Sequence, residues 1–72
     1  MQTLDAWSPP LSPREQEVLA LLARGHTYAS IAVALEISFR TVQGHVKGIY
    51  RKLDVASKAE AAVLAARAGL VS

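Results

Sequence analysis

The sequence predicts an all-α domain of four helices. Three observations carry that expectation. A hydroxyl residue able to cap a helix stands ahead of each of four stretches, at Ser12, Thr27, Ser38 and Ser57. Behind these caps, apolar residues recur at three- and four-residue spacing. Strand-like alternation appears nowhere. At 72 residues the chain is one domain at most, and its core is small. Without cysteine it has no disulfide or thiolate-metal staple, so tight helix packing or self-association must stabilise it. No apolar run approaches the roughly 18–20 residues of a membrane span and no signal peptide is recognisable, so no membrane partner and a cytoplasmic place are expected.

Residues 1–10, MQTLDAWSPP, have no period and end in two prolines. They are expected to be an N-terminal arm or linker, ahead of a helical domain over 11–72. Trp7 is either an anchor onto that domain or partly exposed. In LSPREQEVLALLARG, Ser12 is the cap, Pro13 the first helical residue and Glu15 the acid three past the cap. This is a capping box with proline at its preferred place. Val18, Leu19 and Leu22 point inward with Leu21 flanking, and Gly25 ends a first helix of about 13–24. In HTYASIAVALEIS, Thr27 caps a short helix with Ile31, Ala32 and Leu35 inward, ending near Glu36–Ile37. Ser38 caps again, and a third helix runs over about 39–53. Two helices joined this tightly cannot lie antiparallel, so they cross steeply as a helix-turn-helix. LDVAS breaks the third helix, with Asp54 suited to a left-handed conformation. Ser57 and Glu60 form a second capping box for a helix from about Lys58 to Arg67, ended by Gly69.

Charge is concentrated in one third of the chain. From Ser38 to Lys58 there are five basic residues, Arg40, Lys47, Arg51, Lys52 and Lys58, and one acid, Asp54. The remainder carries three basic and five acidic residues. A charge run is commonly a solvated face, so its placement on the helix decides. At 100° per residue, Val42, Val46, Ile49 and Leu53 share one sector with Tyr50 at its edge. Arg40, Gln43, Gly44, Lys47 and Arg51 fall opposite, with Gly48 at the margin. That face has cations, an amide and little bulk, and it lacks carboxylates. It suits the major groove of duplex DNA, where lysine and arginine neutralise phosphate and glutamine can read adenine. A helix-interior glycine costs about 1 kcal/mol against alanine. Gly44 is expected to let the backbone approach a partner closely, the alternative being helix–helix packing. For Gly48 the two readings stand equal.

LSPREQEVLALLARGHTYASIAVALEISFRTVQGHVKGIYRKLDVASKAEAA resembles the DNA-binding domain of the LuxR family, also called GerE-like or NarL-type, over residues 11–70. The resemblance implies four helices, the second and third forming the helix-turn-helix. It implies a bacterial transcription regulator that binds double-stranded DNA as a weak homodimer through the fourth helix, with RNA polymerase as a further partner. Relatives often carry a receiver or ligand-sensing domain ahead of this one, as response regulators do. Matched position by position, Arg40 and Thr41 lie where phosphates or adjacent base edges are held. Gln43, Gly44 and Lys47 lie where the groove is entered, and Thr27 and Ser30 begin the scaffold helix against the DNA backbone. Arg51 and Lys58 add to the basic surface. Two positions depart from the family: relatives usually carry lysine or arginine at Gln43 and a side chain at Gly44. The competing function is therefore a protein-interaction module on the same fold without base readout. A sigma-factor-like promoter-recognition domain is a variant of the DNA-binding reading.

Enzyme chemistry has no support. Ser12, Ser38 and Ser57 read as caps, Glu15 and Glu17 as first-turn carboxylates that favour the positive helix end, and neither a triad nor a glycine-rich phosphate loop is present. His26 and His45 read as structural, with no second ligand at metal spacing and no cofactor implied. The last helix is apolar nearly all round. Ala62, Val63 and Ala66 are expected on the core, leaving Ala61, Leu64, Ala65 and Ala68 as a dimer surface. The alternative is that alanine is there as a good helix former.

Overall fold

Hydroxyl caps start every helix of the computed structural model, which describes residues 11–69. The elements are α1 (Pro13–Ala23), α2 (Tyr28–Leu35), α3 (Phe39–Leu53) and α4 (Lys58–Arg67). Ser12, Thr27, Ser38 and Ser57 each accept from the backbone N–H three residues on. Each cap contributes about 1 kcal/mol. At α1 the box closes in both directions, since Glu15 Oε1 also accepts from Ser12 N–H at 2.9 Å. At α4 the reciprocal bond shifts by one residue: Glu60 Oε1 takes Ala56 N–H at 2.8 Å, so the expected second box closes on the residue before the cap.

The first three helices end in the same way. A left-handed residue follows each one, Gly25 (φ 97°), Glu36 (φ 57°) and Asp54 (φ 56°). The next N–H then reaches back to a carbonyl of the last turn: His26 to Leu21 (3.1 Å), Ile37 to Ala32 (3.0 Å) and Val55 to Tyr50 (3.0 Å). These are Schellman closures, and they satisfy carbonyls the helix leaves free. Ile37 and Val55 then fold back as half-buried apolar residues against the core. Ile37 thereby fixes the short joint between α2 and α3.

The core is built from Leu11, Val18, Leu19, Leu22, Ile31, Ala32, Val42, Val46, Ile49, Ala61 and Ala65. The inward stripes expected for α1 and α3 are therefore present, with Leu53 and Tyr50 half-buried at the edge. α1 is the central element, touching α2, α3 and above all α4.

α4 corrects the sequence expectation. Ala61 and Ala65 are 0% exposed, and Leu64 and Ala68 are half-buried beside them, whereas Val63 is 52% exposed and Ala66 is exposed. The helix has rolled so that alanines one turn apart face the core. Small residues there let it lie close to α1, and β-branched Val63 stays outside. A stretch rich in alanine on every side gives no periodic signal to choose that roll. The dimer surface expected at Ala61, Leu64, Ala65 and Ala68 is thus largely inside the domain. The expected arm at 1–10, with Trp7, and residues 70–72 lie outside the described residues.

Candidate nucleic-acid interface

α3 separates its residues into two sides. Val42 and Ile49 are fully buried and Val46 nearly so. Arg40, Thr41, Gln43, Gly44, Lys47 and Arg51 are all exposed. The structure thus brings the predicted α3 residues to one open surface. Lys58, first residue of α4, is exposed too. Among the described residues, the ion pairs are Arg14–Glu17 and Lys52–Glu15. Arg40, Lys47, Arg51 and Lys58 have no carboxylate partner there, so their charge is available to an outside anion. Thr41 is held at the helix start: its N–H donates to Ser38 Oγ (3.0 Å), and the two hydroxyls lie 2.8 Å apart.

Among the described residues, nothing lies within 4 Å of a Cβ built at Gly44. Packing against those residues therefore does not account for this glycine. Gly48 is different. It is buried, and a Cβ there would stand 3.1 Å from Glu15 Oε2. For Gly48 the close-packing reading holds.

The start of α2 forms a shallow hollow lined by Arg24, Gly25, His26, Thr27 and Ser30. Thr27 Oγ1 accepts from Ser30 N–H at 3.0 Å, and Ser30 Oγ lies 2.9 Å from His26 Nδ1. Thr27 and Ser30 are therefore brought together, with Arg24 and His26 beside them. His26 has a local structural partner, as expected of a turn histidine. Tyr28 of α2 meets Phe39 of α3 ring to ring, centroids 6.0 Å apart and planes at 50°. Such a tilted contact ties the two helices of the motif together. Burial first, and then neighbouring Tyr28, push the Tyr50 phenol above its ordinary pKa.

One group of residues was not legible as a unit. Glu15 is 8% exposed, and its Oε1 takes both Ser12 N–H and Lys52 Nζ, the latter at 2.8 Å. The hydrogen bond from Lys52, then that from the Ser12 backbone, hold the Glu15 carboxyl below its ordinary value against the opposing effect of burial. The cap signal placed Glu15 at the helix start, but a partner 37 residues away leaves no local pattern.

Residues 9–65 match the family described as "Bacterial regulatory proteins, luxR family". The chain belongs to that family. Among similar proteins are the transcriptional regulatory protein LiaR of Bacillus subtilis (strain 168), 44% identical over 62 residues, and the response regulator protein VraR of Staphylococcus aureus (strain Mu3 / ATCC 700698), 38% identical over 61 residues. These matches cover 86% and 85% of this chain but 29% of each relative. The chain thus spans under a third of their length. Among the described residues, no helix is long and apolar enough to cross a membrane.

Proposed function

We propose that this domain binds double-stranded DNA in a sequence-dependent way and regulates transcription, with α3 in the major groove. The observation that carries the reading is the open side of α3 where, among the described residues, Arg40, Lys47 and Arg51 have no carboxylate partner and Gly44 has no packing partner. A groove that admits a helix rewards such a face, because backbone and cations can both approach the duplex. Gln43 and Lys47 are the groups that reach base edges. Arg40, Thr41, Arg51 and Lys58 hold phosphates. Thr27 and Ser30 set the start of α2 against the backbone, where helix N–H groups favour an anion. The names of LiaR and VraR, a transcriptional regulatory protein and a response regulator, support a regulatory role for the protein that carries this domain.

The domain pairs through the outer side of α4, where Ala59, Val63 and Ala66 are exposed. Such a patch is small, so pairing is weak without DNA. RNA polymerase is the further partner that this regulatory reading implies, and the cytoplasm is where it places the domain.

A salt titration tests the proposal. A dimer contacting roughly six to ten phosphates should lose about 10³–10⁵ in affinity between 50 and 200 mM salt. The probe is a duplex selected from a random pool, and the readout is fluorescence anisotropy. A flat response would favour a protein partner and sink the DNA reading.

A further inference from the structure

Glu15 joins the start of α1 to one side of α3 at a single carboxylate. Oε1 holds the N–H of Ser12, which starts α1, and the ammonium of Lys52, in the last turn of α3. Oε2 faces the gap left by Gly48, where even a methyl carbon would stand at 3.1 Å. Gly48 and Lys52 are one turn apart and so share a side of α3. That side lies between the buried stripe of Val42, Val46 and Ile49 and the open stripe of Arg40, Gln43 and Lys47. The core stripe holds α3 down through apolar contact, which is non-directional and tolerates small rolls about the helix axis. A charged hydrogen bond at 2.8 Å, backed by a glycine fitted to the same carboxylate, does not tolerate them. Lys52 is also drawn away from the basic surface: unlike Arg40, Lys47 and Arg51, it spends its charge within the domain.

We infer that Glu15 is a positioning residue for the DNA-facing side of α3, fixing the roll of that helix on α1 through Lys52 and the slot at Gly48. The inference rests on the DNA reading proposed above. Glu15 does not touch DNA. It acts on Gln43 and Lys47 because a helix turns as a rigid rod, so a roll at Gly48 is carried to residues one turn away.

The test uses the full chain and a duplex selected by the wild-type protein from a random pool. Dissociation constants are measured for wild type, Glu15→Gln, Lys52→Met, Lys52→Arg and the double variant Glu15→Gln/Lys52→Met. Each is taken well below its own melting temperature, with circular dichroism confirming helix content. Glutamine retains the shape of Glu15 and can still accept from Ser12 N–H. The expected result is binding weaker by about tenfold in Glu15→Gln and in Lys52→Met, near-wild-type binding in Lys52→Arg, and a double variant no weaker than either single one. The slope of affinity against salt should stay the same throughout, because the number of phosphate contacts does not change. Three results would overturn the inference. One is unchanged affinity in folded variants. Another is a Lys52→Met salt slope shallower by about one phosphate, which would make Lys52 itself a DNA contact. The third is tighter binding by Glu15→Gln, as expected if Glu15 merely withholds Lys52. Should Glu15→Gln fail to fold, the contrast between Lys52→Met and Lys52→Arg still decides. Failure of the wild type to bind any duplex would instead overturn the DNA reading.

Discussion

Gly44 and Gly48 stand one turn apart on α3, and their surroundings differ completely. Around Gly44 a built Cβ meets none of the described residues within 4 Å. Around Gly48 it meets the carboxylate of Glu15 at 3.1 Å. Both positions forgo the roughly 1 kcal/mol that alanine would contribute to the helix. At Gly48 the return is internal, since α3 approaches a buried, hydrogen-bonded carboxylate. At Gly44 no return is visible among the described residues, which is why the proposed function looks for it in a partner. Residue type is identical in the two cases, and only the surroundings distinguish a glycine fitted to the fold from one left open by it.

The largest effect expected from this contrast is at Gly48→Leu. The added side chain has no room between α3 and Glu15, and overpacking of this kind costs about 1–3 kcal/mol. For a domain of this size each kcal/mol lowers the melting temperature by roughly 4–8 °C. Thermal denaturation followed by circular dichroism reads it directly. Stability at the wild-type level would mean that α3 is not held close at Gly48.

Next in size is Gly44→Leu, with opposite signs in two measurements. Leucine is the better helix former and the position is open, so stability should rise by several tenths of a kcal/mol. DNA affinity should fall about tenfold, because the side chain takes the space that close approach to the groove requires. An unfolded variant would place Gly44 against protein. Undiminished binding would show that the backbone stays away from the duplex there.

Acid separates the two regions as well. The Glu15 carboxyl is held below its ordinary value of 4.5, so the unfolded chain binds its proton first as pH falls. Stability from this group is therefore fully present above 4.5 and is lost as pH drops through the lower folded value. Glu15→Gln should flatten the fall of melting temperature below pH 4.5, while Gly44→Leu should leave its shape unchanged. Parallel curves for Glu15→Gln and wild type would remove the ion pair as a source of acid sensitivity.

Much of the fold was legible because helix ends and amphipathic stripes are local. Ser38 and the run from Val42 to Leu53 define α3 to the residue, and the grouping of Arg40, Gln43, Gly44 and Lys47 on one side follows from helical spacing alone. Two things were not legible. The roll of α4 was hidden because alanine occupies both its inner positions, Ala61 and Ala65, and outer ones such as Ala59 and Ala66. The clamp of Glu15 on Lys52 was hidden because its partners are distant in sequence, and because the cap already gave Glu15 a sufficient reason to be there. Gly48 sat at the margin of two sectors, where projection cannot decide between packing and exposure.

The smallest expected effect is also the cleanest comparison: one methyl group added at each glycine. At Gly44 it meets none of the described residues, so Gly44→Ala should gain the helix-propensity difference of about 1 kcal/mol. At Gly48 the same gain is set against a carboxylate that must yield by a few tenths of an ångström. That carboxylate is tied by Ser12 N–H and Lys52, so it cannot move without lengthening a charge-assisted bond. Gly48→Ala should therefore leave stability within about 0.5 kcal/mol of wild type. Adding the Gly48→Ala change to a Glu15→Ala background removes the opposing group, and the full gain of about 1 kcal/mol should return there. Chemical denaturation of the four chains closes a double-mutant cycle. A coupling energy near zero would mean that Gly48 and Glu15 do not act on one another, and Gly48 would then need a different reason to be glycine.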